Sequence, residues 1–257
     1  MQFDLKINTY ENVTSVIRED DDFLIHTDKR GKKHNYRAKS VIIANGSTDT
    51  PRLLDIPGEQ LPHVTHYFEE PHKYFKQRVL VVGGRNSAVE AALRCHQCGA
   101  DVVLSHRGSE FDQKSIKYWL LPEILALSAR GDLPIYRNTV PKEIHTHTVT
   151  LESLKSGSAF DVDADFVLLM VGYLADMTLF KTAGVMLEGP QDKPVYDEST
   201  METNVPSLYV AGTAIAGSQQ TYNVFMENCH IHVERIMASL TGTRIDDDLI
   251  EYDHPES

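Results

Sequence analysis

The run VLVVGGRNSAVEAA, Val79–Ala92, carries the densest chemistry in this 257-residue chain. Four apolar residues read as a buried strand, Gly83-Gly84 as a sharp turn, and the residues from Asn86 onward as an amphipathic helix. That order of elements cradles a dinucleotide pyrophosphate on a helix N-terminus, where free amides and the helix dipole favour an anion. The next strand, Asp101–Ser105, runs into His106-Arg107. An NAD site would place an Asp or Glu there, about 20 residues after the first glycine, to bind a ribose hydroxyl. A carboxylate would repel a 2′-phosphate, whereas a guanidinium can hold it in a fork. The pattern points to NADPH.

The fingerprint G-x-G-x-x-G/A is met at Gly83 and at the small Ala88, but its middle glycine is Arg85 here. A plain parallel βαβ unit with a glycine-rich turn is the alternative reading. The basic Arg85 and Arg107, with Asn86-Ser87 at the helix start, favour the dinucleotide.

Several elements must position these residues. Short strands are expected at Asp4–Asn8, Val13–Arg18, Phe23–Thr27, Tyr36–Ser40 and Ser40–Ala44, with a hairpin turn around Gly31. The strand Val41–Ala44 stops at Asn45-Gly46, and the segment Ile56–Glu59 (IPGE) follows. Beyond Arg107, Lys114–Arg130 reads as helix ended by Gly131, with Pro122 implying a kink or two helices. Strands follow at Ile135–Thr139, Lys142–His145, Thr148–Ser153, Ala159–Val162 and Asp165–Val171, the last running into Gly172-Tyr173. A strand Leu208–Ala211 ends in Gly212-Thr213. The spacing predicts a helix from about Tyr222 through Leu240, with apolar positions 224, 225, 229, 233, 236, 237 and 240 on one face. The acidic tail Asp246–Ser257 is expected to fray.

The net charge of -12 argues against nucleic acid or an anionic membrane as partner. No apolar run reaches the ~18 residues of a membrane span, and MQFDLKINTY has no signal-peptide pattern. The odd cysteine count, 3, disfavours a disulfide framework and places the chain in the cytoplasm. Cys95 and Cys98 form C-x-x-C, but near the C-terminal end of their helix, the wrong end to lower a thiol pKa. They read as two small residues facing a sheet. His145/His147 and His230/His232 lack a third ligand nearby, so solvated or locally bonded histidines are expected and no metal site.

Taken in order, IIANGS with IPGE, VVGGRNSAVEAA with HRG, and ETNVPSLYVAG resemble the two-domain flavoprotein reductases similar to thioredoxin reductase. Within that group the chain most resembles the bacillithiol disulfide reductase (YpdA) family. The marks are GGRNSA, with a basic residue replacing the middle glycine, and TYNVFMEN, residues 221–228.

The resemblance implies an α/β fold with a Rossmann-type NADPH domain, 63–172, inserted into a partial FAD domain formed by 1–62 and 173–257. The N-terminal βαβ segment that grips FAD in such proteins has no counterpart here; a truncated piece, a mis-assigned start codon and a shortened protein all remain open. The implied reaction passes hydride from NADPH through FAD to a small-molecule disulfide. By the same carry-over, Gly83, Gly84, Arg85, Asn86 and Ser87 hold the pyrophosphate, and Arg107 with His106 holds the 2′-phosphate. Gly172 and Tyr173 fall near the nicotinamide. Gly212, Thr213, Thr221 and Tyr222 approach FAD, with Thr213 where thioredoxin reductases carry Asp and Asn223 where the family has Lys. The stretch HYFEEPHKYFKQ has no cysteine, which disfavours a dithiol relay to thioredoxin. No catalytic residue is assigned, and homodimerisation rests on the resemblance alone. Two other functions stay open: an NADP(H)-binding module without flavin or turnover, and a ferredoxin- or flavodoxin-NADP reductase-like enzyme.

Overall fold

A computed structural model describes residues 5–218, 224 and 229–243. The chain divides into two compact units, one formed by 1–50 with 173–257 and the other by 51–172. The first unit opens with an antiparallel meander of β1 (Glu11–Glu19), β2 (Asp22–Lys29) and β3 (Lys32–Ala38). Leu5–Asn8, expected as a strand from Asp4, is not one; Asp4 itself lies outside the described residues. The β2–β3 turn places Arg30 (φ 53) and Gly31 (φ 83) in left-handed conformations, and the Gly31 amide donates to Asp28 Oδ1 at 2.7 Å. Two successive positive φ values match the right-handed twist of the paired strands. Strand β4 (Val41–Ile43) follows.

The second unit begins at β5 (Thr50–Pro51), whose first residue still belongs to unit one, and continues with β6 (Val64–Thr65) and β7 (Arg78–Val82). Helix α1 (Asn86–Gln97), β8 (Asp101–His106), α2 (Leu120–Arg130) and β9 (Ile135–Arg137) follow, then a second meander of β10 (Thr139–Ile144), β11 (Thr148–Ser153) and β12 (Ala159–Asp163), and finally β13 (Phe166–Leu169). Its five-stranded sheet has the order β6-β13-β7-β8-β9, with every pair parallel. Side chains alternate across β7. Val79 and Val81 face α1 and α2 with Ala88, Ala92, Cys95, Ile124 and Leu133. Leu80 and Val82 face the meander with Ile144, Val149 and Leu151. Burial on both faces accounts for the unbroken apolar run, the mark of a parallel strand.

Pro122 sits in the first turn of α2, where its missing N–H costs nothing, so the 114–130 segment resolves into a short 3-10 turn (Gln113–Ser115) and one α-helix that starts at Leu120. Gly131 closes α2 with φ 81. Residues 51–62, expected with the flavin domain, lie in the second unit. Leu54, Ile56 and Leu61 pack on its meander core, and Ile144 N–H donates to the Pro57 carbonyl at 2.9 Å. The buried Glu59 carboxylate accepts from the amides of Leu54 and Asp55 and from His66 at 3.0 Å, which locks that segment. The ends of this unit meet: Arg52 N–H donates to the Gly172 carbonyl at 3.0 Å.

The first unit resumes at β14 (Tyr173–Leu174), α3 (Thr178–Thr182), β15 (Leu187–Glu188), β16 (Lys193–Pro194), β17 (Leu208–Val210) and α4 (His230–Thr241). Strand β17 runs parallel to β4, with Leu208 opposite Val41. Its core joins Val16 and Phe23 of the meander to Phe180, Leu208 and Val210. The helix expected from Tyr222 begins at His230; Thr221, Tyr222, Asn223 and the acidic tail lie outside the described residues. Among the described residues no helix is long and apolar enough to cross a membrane.

Candidate functional site

The glycine turn after β7 stands at the C-terminal edge of the parallel sheet, where ligands of open α/β sheets bind. Gly83 leaves β7 with φ 151, and its amide donates to the Ser105 carbonyl at 3.0 Å. A Cβ on Gly83 would stand 2.5 Å from the Met170 carbonyl oxygen and 2.6 Å from Ala88 Cβ. That single contact set explains both Gly83 and the small residue five positions on: turn, helix and β13 exit touch here. A Cβ on Gly84 would run into the His106 imidazole. Arg85 is extended (φ -119, ψ -174), so the middle position of the fingerprint needs no glycine in this backbone.

The first intrahelical bond of α1 is Val89 N–H to Arg85 O at 3.1 Å, and no side chain caps the helix. The amides of Asn86, Ser87 and Ala88 therefore have no acceptor within the helix, which is the anion-binding arrangement. The Asn86 side chain is engaged elsewhere: its Oδ1 accepts from Lys117 N–H at 3.1 Å. Arg85 and Ser87 are exposed at the same helix end.

At the end of β8, His106 and Arg107 diverge. His106 is 8% exposed. Its Nε2 bonds the Glu110 carbonyl at 3.0 Å, and its ring stacks on Phe111 with centroids 5.0 Å apart. Because a carbonyl can only accept, Nε2 carries the proton; Nδ1 is left buried without a partner. This geometry makes His106 the floor beneath Gly84, unlike the expected phosphate ligand. Arg107 is exposed, and no described residue pairs with it. The helix end and a free guanidinium thus share one sheet edge, a donor set that fits a phosphorylated dinucleotide. Gly172 (φ 102) lies past the end of β13, the strand beside β7, and Tyr173 follows it half-buried.

In the first unit, the exits of β4 and β17 meet. Gly46 (φ 78) and Gly212 (φ 71) are both left-handed, and a Cβ on Gly46 would lie 3.7 Å from Thr213 Oγ1. A Cβ on Gly212 would meet nothing within 4 Å among the described residues.

Two residues escaped the sequence reading. Arg137 lies opposite His106 in the parallel register, donates to the Ser109 carbonyl at 3.0 Å and places its guanidinium over Phe111. A basic residue closing β9, the strand beside β8, was the available signal. His232 is buried and bonds the Gly212 amide, as developed below. The C-x-x-C pair is structural, as its position implied. Cys95 is buried, with its thiol pushed up to about 12 by burial and by Cys98. Cys98 donates to the Pro71 carbonyl at 3.0 Å.

The profile of the pyridine nucleotide-disulphide oxidoreductase family matches residues 1–212. Bacilliredoxin reductase Bdr of Bacillus subtilis (strain 168) is 37% identical over 218 residues, covering 85% of this chain and 65% of its own length. The structure of bacillithiol disulfide reductase Bdr (YpdA) from Bacillus cereus superimposes with a TM-score of 0.84 at 37% identity, over 92% of this chain and 72% of that one. Lactococcus lactis thioredoxin reductase, at 22% identity and a TM-score of 0.73 over 91% of this chain and 73% of its own, shares the fold. The chain thus spans about two thirds of the length of the curated relative it matches.

Proposed function

The chain belongs to the pyridine nucleotide-disulphide oxidoreductase family, and we propose that it serves NADPH-dependent, FAD-mediated reduction of a low-molecular-weight disulfide. The overall change is NADPH + H⁺ + RSSR → NADP⁺ + 2 RSH. FAD supplies the two-electron carrier between the nicotinamide and the disulfide. The protein's contribution is binding and orientation.

In this reading the free amides of α1 and the side chain of Arg85 receive the pyrophosphate, with Gly83 and Gly84 allowing its close approach. Arg107 takes the 2′-phosphate, and His106 supports the turn from below. Gly172 and Tyr173 lie toward the nicotinamide. Gly46, Gly212 and Thr213 border the flavin space of the first unit, with Thr221 and Tyr222 assigned to FAD by resemblance. A bacillithiol-type disulfide is the substrate suggested by the relatives, since the Bacillus cereus protein of similar structure is a bacillithiol disulfide reductase.

The exposed, unpaired Arg107 beside the uncapped helix end carries the reading. The test is a titration of the chain with FAD followed by NADPH and NADH. The proposal requires flavin binding and bleaching of its absorbance by NADPH in preference to NADH. Flavin that binds but never bleaches, or a chain that binds no flavin, refutes it.

A further inference from the structure

Three contacts along one face of α4 fasten it to β17 and the turn that follows. Ser239 Oγ lies 3.2 Å from Tyr209 Oη. Ile236 packs against Tyr209 and Ala211. One turn earlier, His232 Nδ1 accepts the Gly212 N–H at 3.1 Å. His232 is 6% exposed although it is an ionisable side chain.

The bond fixes the state of the ring. A backbone amide can only donate, so Nδ1 must present its lone pair and the proton must sit on Nε2. An imidazolium would oppose one N–H to another. Burial first, then the charges of Arg235 and His230, push its pKa below the ordinary histidine value, in the direction the bond geometry requires. Gly212 needs such an anchor. Its left-handed conformation is one of several a glycine adopts at little cost, and no described residue packs within 4 Å of its Cβ side to hold it.

We propose that His232 is a positioning residue for the flavin side of the site: its Nδ1 lone pair holds the Gly212 amide and so fixes the turn that carries Thr213. This rests on the reading that Gly212 and Thr213 face FAD, but the positioning itself is measurable without FAD.

The experiment combines nitrogen-15 NMR of the full chain with FAD titration of the wild type, His232→Asn, His232→Gln and His232→Leu. Asn places its Oδ1 about where Nδ1 stands, whereas the Gln head group reaches the Nε2 position. The wild type should show an unprotonated Nδ1, a protonated Nε2 and a slowly exchanging Gly212 amide at neutral pH. His232→Asn should keep amide protection and FAD affinity within about threefold, while the Gln and Leu variants should lose about tenfold in both, the scale of one hydrogen bond. An Nδ1–H tautomer or an imidazolium in the wild type overturns the proposal without any variant. So does His232→Leu binding FAD as the wild type does, or Asn behaving like Leu. Protection that follows the Asn/Leu pattern in a chain that binds no FAD would uphold the positioning and refute the flavin reading instead.

Discussion

The imidazole of His106 fills the volume that a side chain at Gly84 would need. Gly108 is constrained by the same ring, since its Cβ would stand 2.6 Å from His106 Nε2. One buried ring thus sets the spacing between the Gly83-Gly84 turn and the exit of β8. The chain needs glycine at 84 for what lies beneath the turn, whereas its conformation at 85 accepts arginine.

Gly84→Ala should therefore displace either the turn or the ring, at a cost of about 1–3 kcal/mol for overpacking. Thermal unfolding and NADPH titration measure the two consequences. The double variant Gly84→Ala/His106→Ala should recover part of both, and a single variant as stable as the wild type would show that the two residues do not compete for space.

Arg107→Ala should weaken NADPH by roughly ten- to a hundredfold, the value of about 1.5–3 kcal/mol for a charge-assisted bond, and leave NADH almost unchanged. Isothermal titration with both nucleotides decides it. Equal losses would assign Arg107 to a group the two cofactors share.

Asp165 and Arg78 tie the entry of β13 to that of β7. The Arg78 guanidinium donates to both carboxylate oxygens, at 2.7 and 3.0 Å, and the Arg78 amide adds a third bond at 3.0 Å. These partners hold the Asp165 carboxyl down at about 2, against an ordinary 3.8. A depressed folded-state value means the stabilisation is present above the unfolded value and is lost as pH falls through about 2. Asp165→Asn should cost about 1–2 kcal/mol at neutral pH, discounted because Arg78 is partly exposed, and should flatten the acid limb of the stability curve. Urea midpoints across that range provide the check; a limb as steep as that of the wild type would place the acid sensitivity elsewhere.

Cys95 should resist alkylation in the folded chain, because burial pushes its thiol up to about 12 and withholds the reactive thiolate. Mass spectrometry after brief iodoacetamide treatment should find Cys95 unmodified until denaturant is added. Rapid labelling under native conditions would reopen a redox role for the pair.

Much of the second unit is legible in the sequence because its signals are local. The run Val79–Val82, the turn at Gly83 and the spacing to Arg107 lie within one strand–helix–strand unit, so short-range rules suffice. Pro122 and Gly131 likewise bound α2 by their own backbone chemistry. What escaped depends on distant contacts. Residues 51–62 join the second unit because Pro57 bonds Ile144, a pairing that no local pattern encodes. The inward turn of His106 is set by Phe111 and Gly84, whereas its neighbour Arg107 faces out; a dipeptide at a strand exit does not announce which is which. The split of His230 and His232 onto opposite faces of α4 follows from helical spacing, but the Gly212 amide that His232 meets is 20 residues away.

The hydrogen bond between Arg52 and Gly172 has an architectural consequence. A segment whose first and last residues are clasped together makes almost no demand on the loop that hosts it, because closing that loop costs little chain entropy. The second unit is thus a cassette whose chain enters and leaves at one place. A stretch with paired ends is the kind of insert that recombination can exchange as one piece.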